Sequence, residues 1–430
     1  MVGKYKAYPE YKDSGVEWLS NIPNHWEIFR IKHLSLVKRG ASPRPIDDPK
    51  YFDDNGEYAW ARIADVSASG IYLEKTAQKT STLGSSLSVK LEPGELFLSI
   101  AATVGKPCIT AIKTCIHDGF VYFPTLKIPN KFLFYIFAAE QAYKGLGKFG
   151  TQLNLNTDTV GDIKVAIPEL REFSFLTKFL DHETAKIDTL IEKQQQLIKL
   201  LEEKRQAVIS HAVTKGLNPN VSMKDSGVEW LGEIPEYWEI YRLKTITTLK
   251  TSKSCFKNNL IALENIESWS GKYVKTENDY FGDGIAFKAG DILFGKLRPY
   301  LAKVYIAESD GEAIGDFFVL RTKPKVISRF LQLCLLTQEV IFIINGSTFG
   351  AKMPRVSWEF MGNLSFVIPP LKEQEEIISY LKAEISKLDL LIEKANQTII
   401  LLKERRTALI SAAVTGKIDV RDWQAPTVTD

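Results

Sequence analysis

The chain of 430 residues has little cysteine. Cys108, Cys115, Cys255 and Cys334 lie far apart and none falls in a Cys-x-x-Cys spacing. That argues against a disulfide scaffold or a zinc ribbon and for thiols in a reducing compartment. Long apolar runs are also missing. Stretches such as Phe132 to Ala139 are far too short to span a bilayer. The polar N-terminus, MVGKYKAYPEYKD, lacks the apolar core of a signal peptide. No membrane contact is expected, and the expected location is the cytoplasm. Excess charge of one sign is absent, with 55 Lys and Arg against 52 Asp and Glu. A nucleic-acid binder of this composition must therefore gather its cations locally.

Catalytic signatures are missing too. There is no G-x-x-x-x-G-K-[ST] loop, so no ATP motor is indicated, and no Asn/Asp-Pro-Pro-Tyr/Phe tetrapeptide of amino-methyltransferases. The five histidines (His25, His33, His117, His182, His211) show no metal-ligand spacing. His117-Asp118 is a lone adjacent pair with no nucleophile motif, so surface or core placement is expected for it. Residues 145–150 (GLGKFG) fit a dinucleotide fingerprint by pattern, but they follow a helix and do not join a strand to one. Catalysis and bound metal are not expected of this chain.

What the sequence does contain is repetition. Residues 12–32 (KDSGVEWLSNIPNHWEIFRIK) return at 224–244 (KDSGVEWLGEIPEYWEIYRLK), a shift of 212 with 15 of 21 positions identical. A second block starts at Ile167 (IPELREF…KIDTLIEK) and returns at Ile368 (IPPLKEQ…KLDLLIEK) with a shift of 201. Between the blocks, residues 34–166 and 246–367 align only weakly. They share a Gly-acid-apolar strand (Gly94-Glu95-Leu96-Phe97, Gly290-Asp291-Ile292-Leu293) and a late Phe-Gly pair (Phe149-Gly150, Phe349-Gly350). A drifted gene duplication and two units that share a frame but recognise different things both fit this pattern.

The second block reads as a long helix. Ile187, Leu190, Gln194, Leu197, Leu201, Lys204 and Val208 alternate steps of three and four, a heptad seam with polar breaks. Leu388, Leu391, Ala395, Leu402 and Leu409 keep the phase in the second copy, with Ile392 and Ile399 beside it. Glycines at 216 and 416 are natural stops. So short a seam makes a poor lone helix, and the economical partner is the other copy, paired antiparallel. Residues 168–216 carry as many acidic as basic side chains, so a solvated spacer is expected rather than a DNA-tracking helix.

The expected fold is therefore mixed α/β. Two globular α/β domains are separated by two long shared helices that form an antiparallel coiled coil with pseudo-twofold symmetry. The expected division is 1–166, 167–216 (helix), 217–367, 368–416 (helix) and a tail, 417–430. Each globule alternates short β-rich runs with turns and one apolar helix, Lys131 to Tyr143 in the first and Ser328 to about Ile344 in the second. Polar and basic residues gather in the loops. The first set is Lys38, Arg39, Ser42, Arg44, Arg62, Lys148, Thr151, Gln152 and Asn154. The second is Lys250, Ser252, Lys253, Lys257, Asn258, Asn259, Asn265, Lys296, Arg298, Tyr300, Lys352 and Arg355. Such side chains suit duplex DNA: Arg and Lys bind phosphates or guanine edges, and Asn and Gln pair with adenine. Trp18, Trp26, Trp230 and Trp238, repeated in the first block, read as core or interface residues rather than base-stacking ones.

The repeated KDSGVEWL…IP blocks, the LIEK helices, the ALISAAVTGKIDVRDW tail (408–423) and the GDILFGKLRPYLAKV run (290–304) resemble the specificity subunit of type I restriction-modification systems. The resemblance covers nearly the whole chain. It implies two target-recognition domains, each reading one half of an interrupted site in double-stranded DNA, and two helices that set the spacer. It also implies two methyltransferase subunits that bring S-adenosylmethionine, and restriction/translocase subunits that bring ATP and Mg. None of these cofactors is expected on this chain. A protein-binding adaptor and a stand-alone DNA-modifying enzyme are the competing readings.

Overall fold

Alternation of side chains builds the two sheets of each globule. In the computed structural model, which describes residues 5–143, 155–254, 259–276, 284–350 and 352–425, the chain divides into two compact units. The first is residues 1–194 with 397–430, the second 195–396. The first unit opens with a hairpin, β1 (Tyr11–Asp13) and β2 (Asn21–Pro23), then β3 (Glu27–Arg30), α1 (Ile31–Leu34) and β4 (Lys38–Arg39). There follow β5 (Tyr58–Ala61), α2 (Ile63–Ala68), β6 (Tyr72–Leu73), β7 (Lys79–Thr80), α3 (Thr82–Ser86), β8 (Val89–Leu91) and β9 (Leu96–Ser99). The globule ends with β10 (Pro107–Thr110), β11 (Thr114–Ile116), β12 (Phe120–Tyr122), α4 (Asn130–Ala138), α5 (Thr157–Asp162) and β13 (Lys164–Ile167). Its central sheet has the order β4-β12-β9-β10-β6, and a second sheet has the order β7-β5-β11-β8. Leu96 and Leu98 face α4 and the main core, while Phe97 faces Cys108, Ile116 and Phe120 between the sheets. Helix, sheet and sheet thus stack in three layers. Burial on both faces is why β9 reads LFLS, with no polar alternation.

After α6 (Glu172–Lys215), the second unit repeats the plan with β14 (Met223–Asp225), β15 (Glu233–Pro235), β16 (Glu239–Arg242), α7 (Leu243–Ile246) and β17 (Thr247–Lys250). Next come β18 (Lys253–Ser254), β19 (Leu260–Ile261), β20 (Gly284–Phe287), β21 (Ile292–Gly295), β22 (Val304–Ile306), β23 (Gly311–Ala313) and β24 (Phe317–Thr322). The unit closes with α8 (Ser328–Leu335), α9 (Gln338–Gly346), α10 (Trp358–Asn363), β25 (Ser365–Ile368) and α11 (Leu371–Val414). The single helix expected from Ser328 to Ile344 is two, broken where Thr337 turns to extended backbone. The helix expected to reach Tyr143 stops at Ala138, followed by a single turn at Gln141–Tyr143. The sheet orders are β17-β24-β21-β22 and β18-β20-β23-β19.

The registers match where the sequences barely align. Leu98 pairs with Val121 and Phe294 with Phe318; Lys38 pairs with Tyr122 and Lys250 with Val319. The two repeated blocks of each unit also meet. The end of the first block is β3 or β16, the start of the second is β13 or β25, and they pair antiparallel: Glu27 with Ile167, Glu239 with Ile368. Each variable globule is thus entered and left through one strand pair. Beside that pair, a buried tryptophan binds the first turn of the long helix. Trp26 Nε1 donates to Glu172 Oε2 at 3.1 Å, and Trp238 Nε1 to Glu373 Oε2 at 3.0 Å. Trp26 and Trp238 are fully buried core residues, and Trp18 and Trp230 are half-buried against the same cores.

Both long helices have 44 residues, and each unit holds a segment of each. In the first unit Asp188 accepts from Arg406 Nε at 2.8 Å, while Phe179, nearer the start of α6, packs edge-on against Trp423, beyond the end of α11. In the second unit late α6 residues (Ile209, Ala212, Val213) share a core with early α11 residues (Ile377, Leu381, Ile385), and Arg205 meets Asp389 at 3.5 Å. Both pairings are antiparallel. Asp188 and Asp389 are repeat equivalents, as are Arg205 and Arg406, so one ion pair is made twice with the helices exchanged. The seam differs from the expected one at every second position. Ile191, Ile198 and Arg205 take the half-buried places, whereas Leu190 and Leu197 are exposed.

Candidate nucleic-acid interface

The loop cations of the first unit converge where β12 begins and β4 ends. Asp118, in the tight turn between β11 and β12, is the hub. Ser42 Oγ donates to Asp118 Oδ1 at 2.8 Å, Arg44 Nη2 to Oδ2 at 2.8 Å, and Arg39 Nε to the Asp118 carbonyl at 2.5 Å. The Ser42 hydroxyl, opposed by burial and helped by Arg44 and Arg39, holds the Asp118 carboxyl below its usual range. Arg62 follows β5, which runs parallel to β11 with Ala61 opposite Ile116, so it lies beside His117. His117 packs against Trp60 and Phe120, and burial pushes its pKa down. Lys38 is exposed on β4, opposite Tyr122. Five predicted residues, Lys38, Arg39, Ser42, Arg44 and Arg62, therefore share one end of the central sheet.

The corresponding end of the second unit carries its own cluster, built from different loops. Asp316, just before β24, accepts from Arg355 through Nε at 3.1 Å and Nη2 at 2.9 Å, and Lys296 Nζ lies 3.7 Å from its other oxygen. Backbone bonds stitch the two contributing loops together. Arg298 N–H donates to the Pro354 carbonyl (2.8 Å), Val356 N–H to Lys296 (3.1 Å), and Phe349 and Arg355 exchange bonds at 3.0 and 3.1 Å. This places Lys296, Arg298, Tyr300, Lys352 and Arg355 on one surface, with Arg298, Tyr300 and Lys352 exposed. Arg298 has φ 49°, and its counterpart Ala102 has φ 54°. A left-handed non-glycine residue costs on the order of 1 kcal/mol, and both units keep one at this sheet end. Lys250 ends β17 here, Ser252 accepts from Ala286 N–H through its carbonyl, and Lys253 pairs with Ile285 on the adjoining edge.

These clusters can hold a polyanion and offer base-reading donors; among the described residues no group of His, Cys, Asp and Glu could hold a metal ion. The model for the type I restriction modification DNA specificity domain matches the chain twice, over residues 23–204 and 235–400. The chain belongs to that specificity family. The chain is 24% identical over 303 residues to the type I restriction enzyme EcoDI specificity subunit of Escherichia coli, a match covering 65% of this chain and 67% of the relative. It is 23% identical over 431 residues to the MjaVIII specificity subunit of Methanocaldococcus jannaschii, covering 93% and 95%. A solved chain from work on complex assembly and conformational transition of the type I R-M system shares the fold, with TM-score 0.62 and 15% identity over 92% of this chain and 99% of that one. As a specificity subunit the chain contributes DNA sequence recognition through two target-recognition domains, and the catalytic activities belong to other subunits. No helix among the described residues is long and apolar enough to cross a membrane.

Not every candidate of this specificity subunit reaches the two clusters. Asn265 is 2% exposed, and its amide is committed to Ala262 N–H, the Val274 carbonyl and Thr276 Oγ1. It shapes a loop from inside, which corrects the expectation that it faces DNA. Asn259 bonds Ser309 and the Asp310 carbonyl, after β22, at the opposite end of the sheet. Lys148, Thr151, Gln152, Asn154, Lys257 and Asn258 lie outside the described residues. Sequence reasoning missed Asp118 and Asp316, the two acids that organise the cations. A detectable signal existed: both fall one or two residues before a strand that opens with Phe.

Proposed function

We propose that each unit of this specificity subunit reads one half of an interrupted site in double-stranded DNA with the loops at the Asp118 end and the Asp316 end. The domain division proposed is 1–166 and 217–367 for recognition, 167–216 and 368–416 as spacer helices, and 417–430 as tail. The observation that supports it most is convergence: cations scattered over 39–62 in one unit and 296–355 in the other come together at the same end of matching sheets. Phosphate contacts from Lys38, Lys250 and Lys352 would fix register, and Arg and Ser side chains would read base edges. Binding would weaken steeply with salt as condensed counterions are released.

Two methyltransferase subunits would dock on the long helices. Supporting this, Leu190 and Leu401 are exposed in the first unit and their repeat equivalents Leu391 and Leu200 in the second. Large apolar side chains left in water at repeat-equivalent places on the two helices support a partner surface, and the repetition suits two copies of one partner. S-adenosylmethionine would come with those subunits, ATP and Mg with restriction/translocase subunits, all in the cytoplasm.

The test is to map methylated bases genome-wide in cells with and without this chain. A bipartite motif should depend on it, and lengthening both helices by one or two turns should lengthen the tolerated spacer. A methylation pattern indifferent to the chain would defeat the reading; a spacer unmoved by the insertions would defeat the ruler.

A further inference from the structure

We propose that Asp316 is a positioning residue for specificity: it fixes the Arg355 fork so that its free edge reads a guanine, and it suppresses attraction to non-target DNA. The proposal rests on the DNA-reading function above and names how that site discriminates. A guanidinium has five N–H donors in one plane. Asp316 engages the Nε hydrogen and one Nη2 hydrogen of Arg355, at 3.1 and 2.9 Å. The outward edge, formed by Nη1 and the second Nη2 hydrogen, points away from the carboxylate. That edge has the spacing to bind guanine O6 and N7 together.

The backbone around Arg355 is held equally firmly. Its N–H and carbonyl both bond Phe349, and the next residue, Val356, bonds the Lys296 carbonyl. Rotamer freedom that a free arginine would lose on binding is already lost, so the fork binds with less ordering cost than an exposed one. Asp316 is also half-buried and Lys296 lies 3.7 Å away. One carboxylate therefore shadows two cations, which lowers the local potential toward any phosphate. A fixed fork next to a fixed negative charge favours a site where both edges find partners and penalises one where they do not. In the first unit Asp118 holds Arg44 less completely, through one bond from Nη2 to Oδ2 at 2.8 Å. In both units an acid lies in the turn before the matching strand, two residues before Phe120 and one before Phe317, and gathers basic partners from different loops.

The test uses the full chain with duplexes that carry or lack its mapped target, at several salt concentrations, alongside methylation mapping in cells. Asp316→Asn keeps shape and removes charge. Non-target affinity should rise about threefold to tenfold, the target-to-non-target ratio should fall about tenfold, and the salt slope should steepen by about 0.9 for one freed cation. Degeneracy should appear at one position of one half-site only. Arg355→Lys, which cannot form a fork, should lose the same guanine preference, and Asp316→Glu should restore part of the ratio. An Asp316→Asn ratio within twofold of the parent, with Arg355→Ala still losing target binding, would overturn the positioning role while leaving the DNA-reading function standing. If Arg355→Ala and Arg298→Ala both leave affinity and ratio unchanged, the site itself is wrong and the proposal fails with it.

Discussion

The two units share their skeleton and differ in what they hang on it. Both have four antiparallel central strands in the same register, to which the first unit adds β6 parallel to β10, with a helical layer on one face and a second sheet on the other. In each second sheet a three-strand kernel is common, with one parallel and one antiparallel pairing to β11 or β23. The fourth strand is added on opposite sides. In the first unit β7 extends the sheet beyond β5; in the second β18 extends it beyond β20. The cations follow suit. The loop after β9 runs Ile100-Ala101-Ala102-Thr103-Val104 without a charge, whereas its counterpart after β21 holds Lys296 and Arg298. The first unit instead recruits Arg39 from the end of β4, and Arg44 and Arg62 from the loops after β4 and β5. Strand pairing requires cooperative agreement over many residues, so it resists drift. Surface loops change at little thermodynamic cost, and the readers diverge there.

The comparison is broken most strongly in the core. Phe97 and Leu293 occupy matching positions between the two sheets and are fully buried. Phe97→Ala should cost about 3–5 kcal/mol and Leu293→Ala about 2–5. Hydrogen exchange should show each loss confined to its own unit's sheets; a loss spread over both units would refute independent cores. The frame carboxylates come next. Glu172, 1% exposed, accepts from Trp26 and Tyr8 and bonds His25 at 2.6 Å. Glu373 is less buried and is bonded by Tyr237 and Trp238. Glu172→Gln should destabilise by about 1–3 kcal/mol, and Glu373→Gln by less, as read from urea midpoints.

The readers should respond one at a time. Arg44→Ala and Arg298→Ala should each weaken target binding about tenfold, equivalent to about 1.4 kcal/mol, and each should relax a different half-site in methylation maps. Effects on the same half-site would remove the division of labour. The smallest effect is chemical. Burial pushes the Cys108 thiol up to about 12 and the Cys115 thiol up to about 11, and lifts that of Cys334 further. At pH 8 these three should resist iodoacetamide in the native chain and react in urea, as mass spectrometry would show.

Much of this plan was legible in the residues, and the exceptions have physical causes. The blocks at 12–32 and 167–214 announced the frame because both copies must make the same contacts. The helices and their glycine stops were legible for the same reason. The seam slipped because a straight helix repeats every 3.6 residues: Leu190 and Ile191 both fit a heptad, and only the partner decides which one turns inward. Sheet order was hidden because it depends on pairings between residues far apart in the chain, such as Lys38 with Tyr122. Asn265 looked like any loop amide, since sequence does not say which way an asparagine faces. Asp118 and Asp316 were passed over because an acid is a weak signal for an anion-binding surface, yet they gather the cations that were found.

The strand pair that closes each globule, Glu27 with Ile167 and Glu239 with Ile368, has a consequence for how such proteins change. A reader whose two ends emerge side by side behaves as an interchangeable tool head on a standing handle. Exchanging one contiguous stretch of chain would supply a new alphabet and leave the handle as it stands.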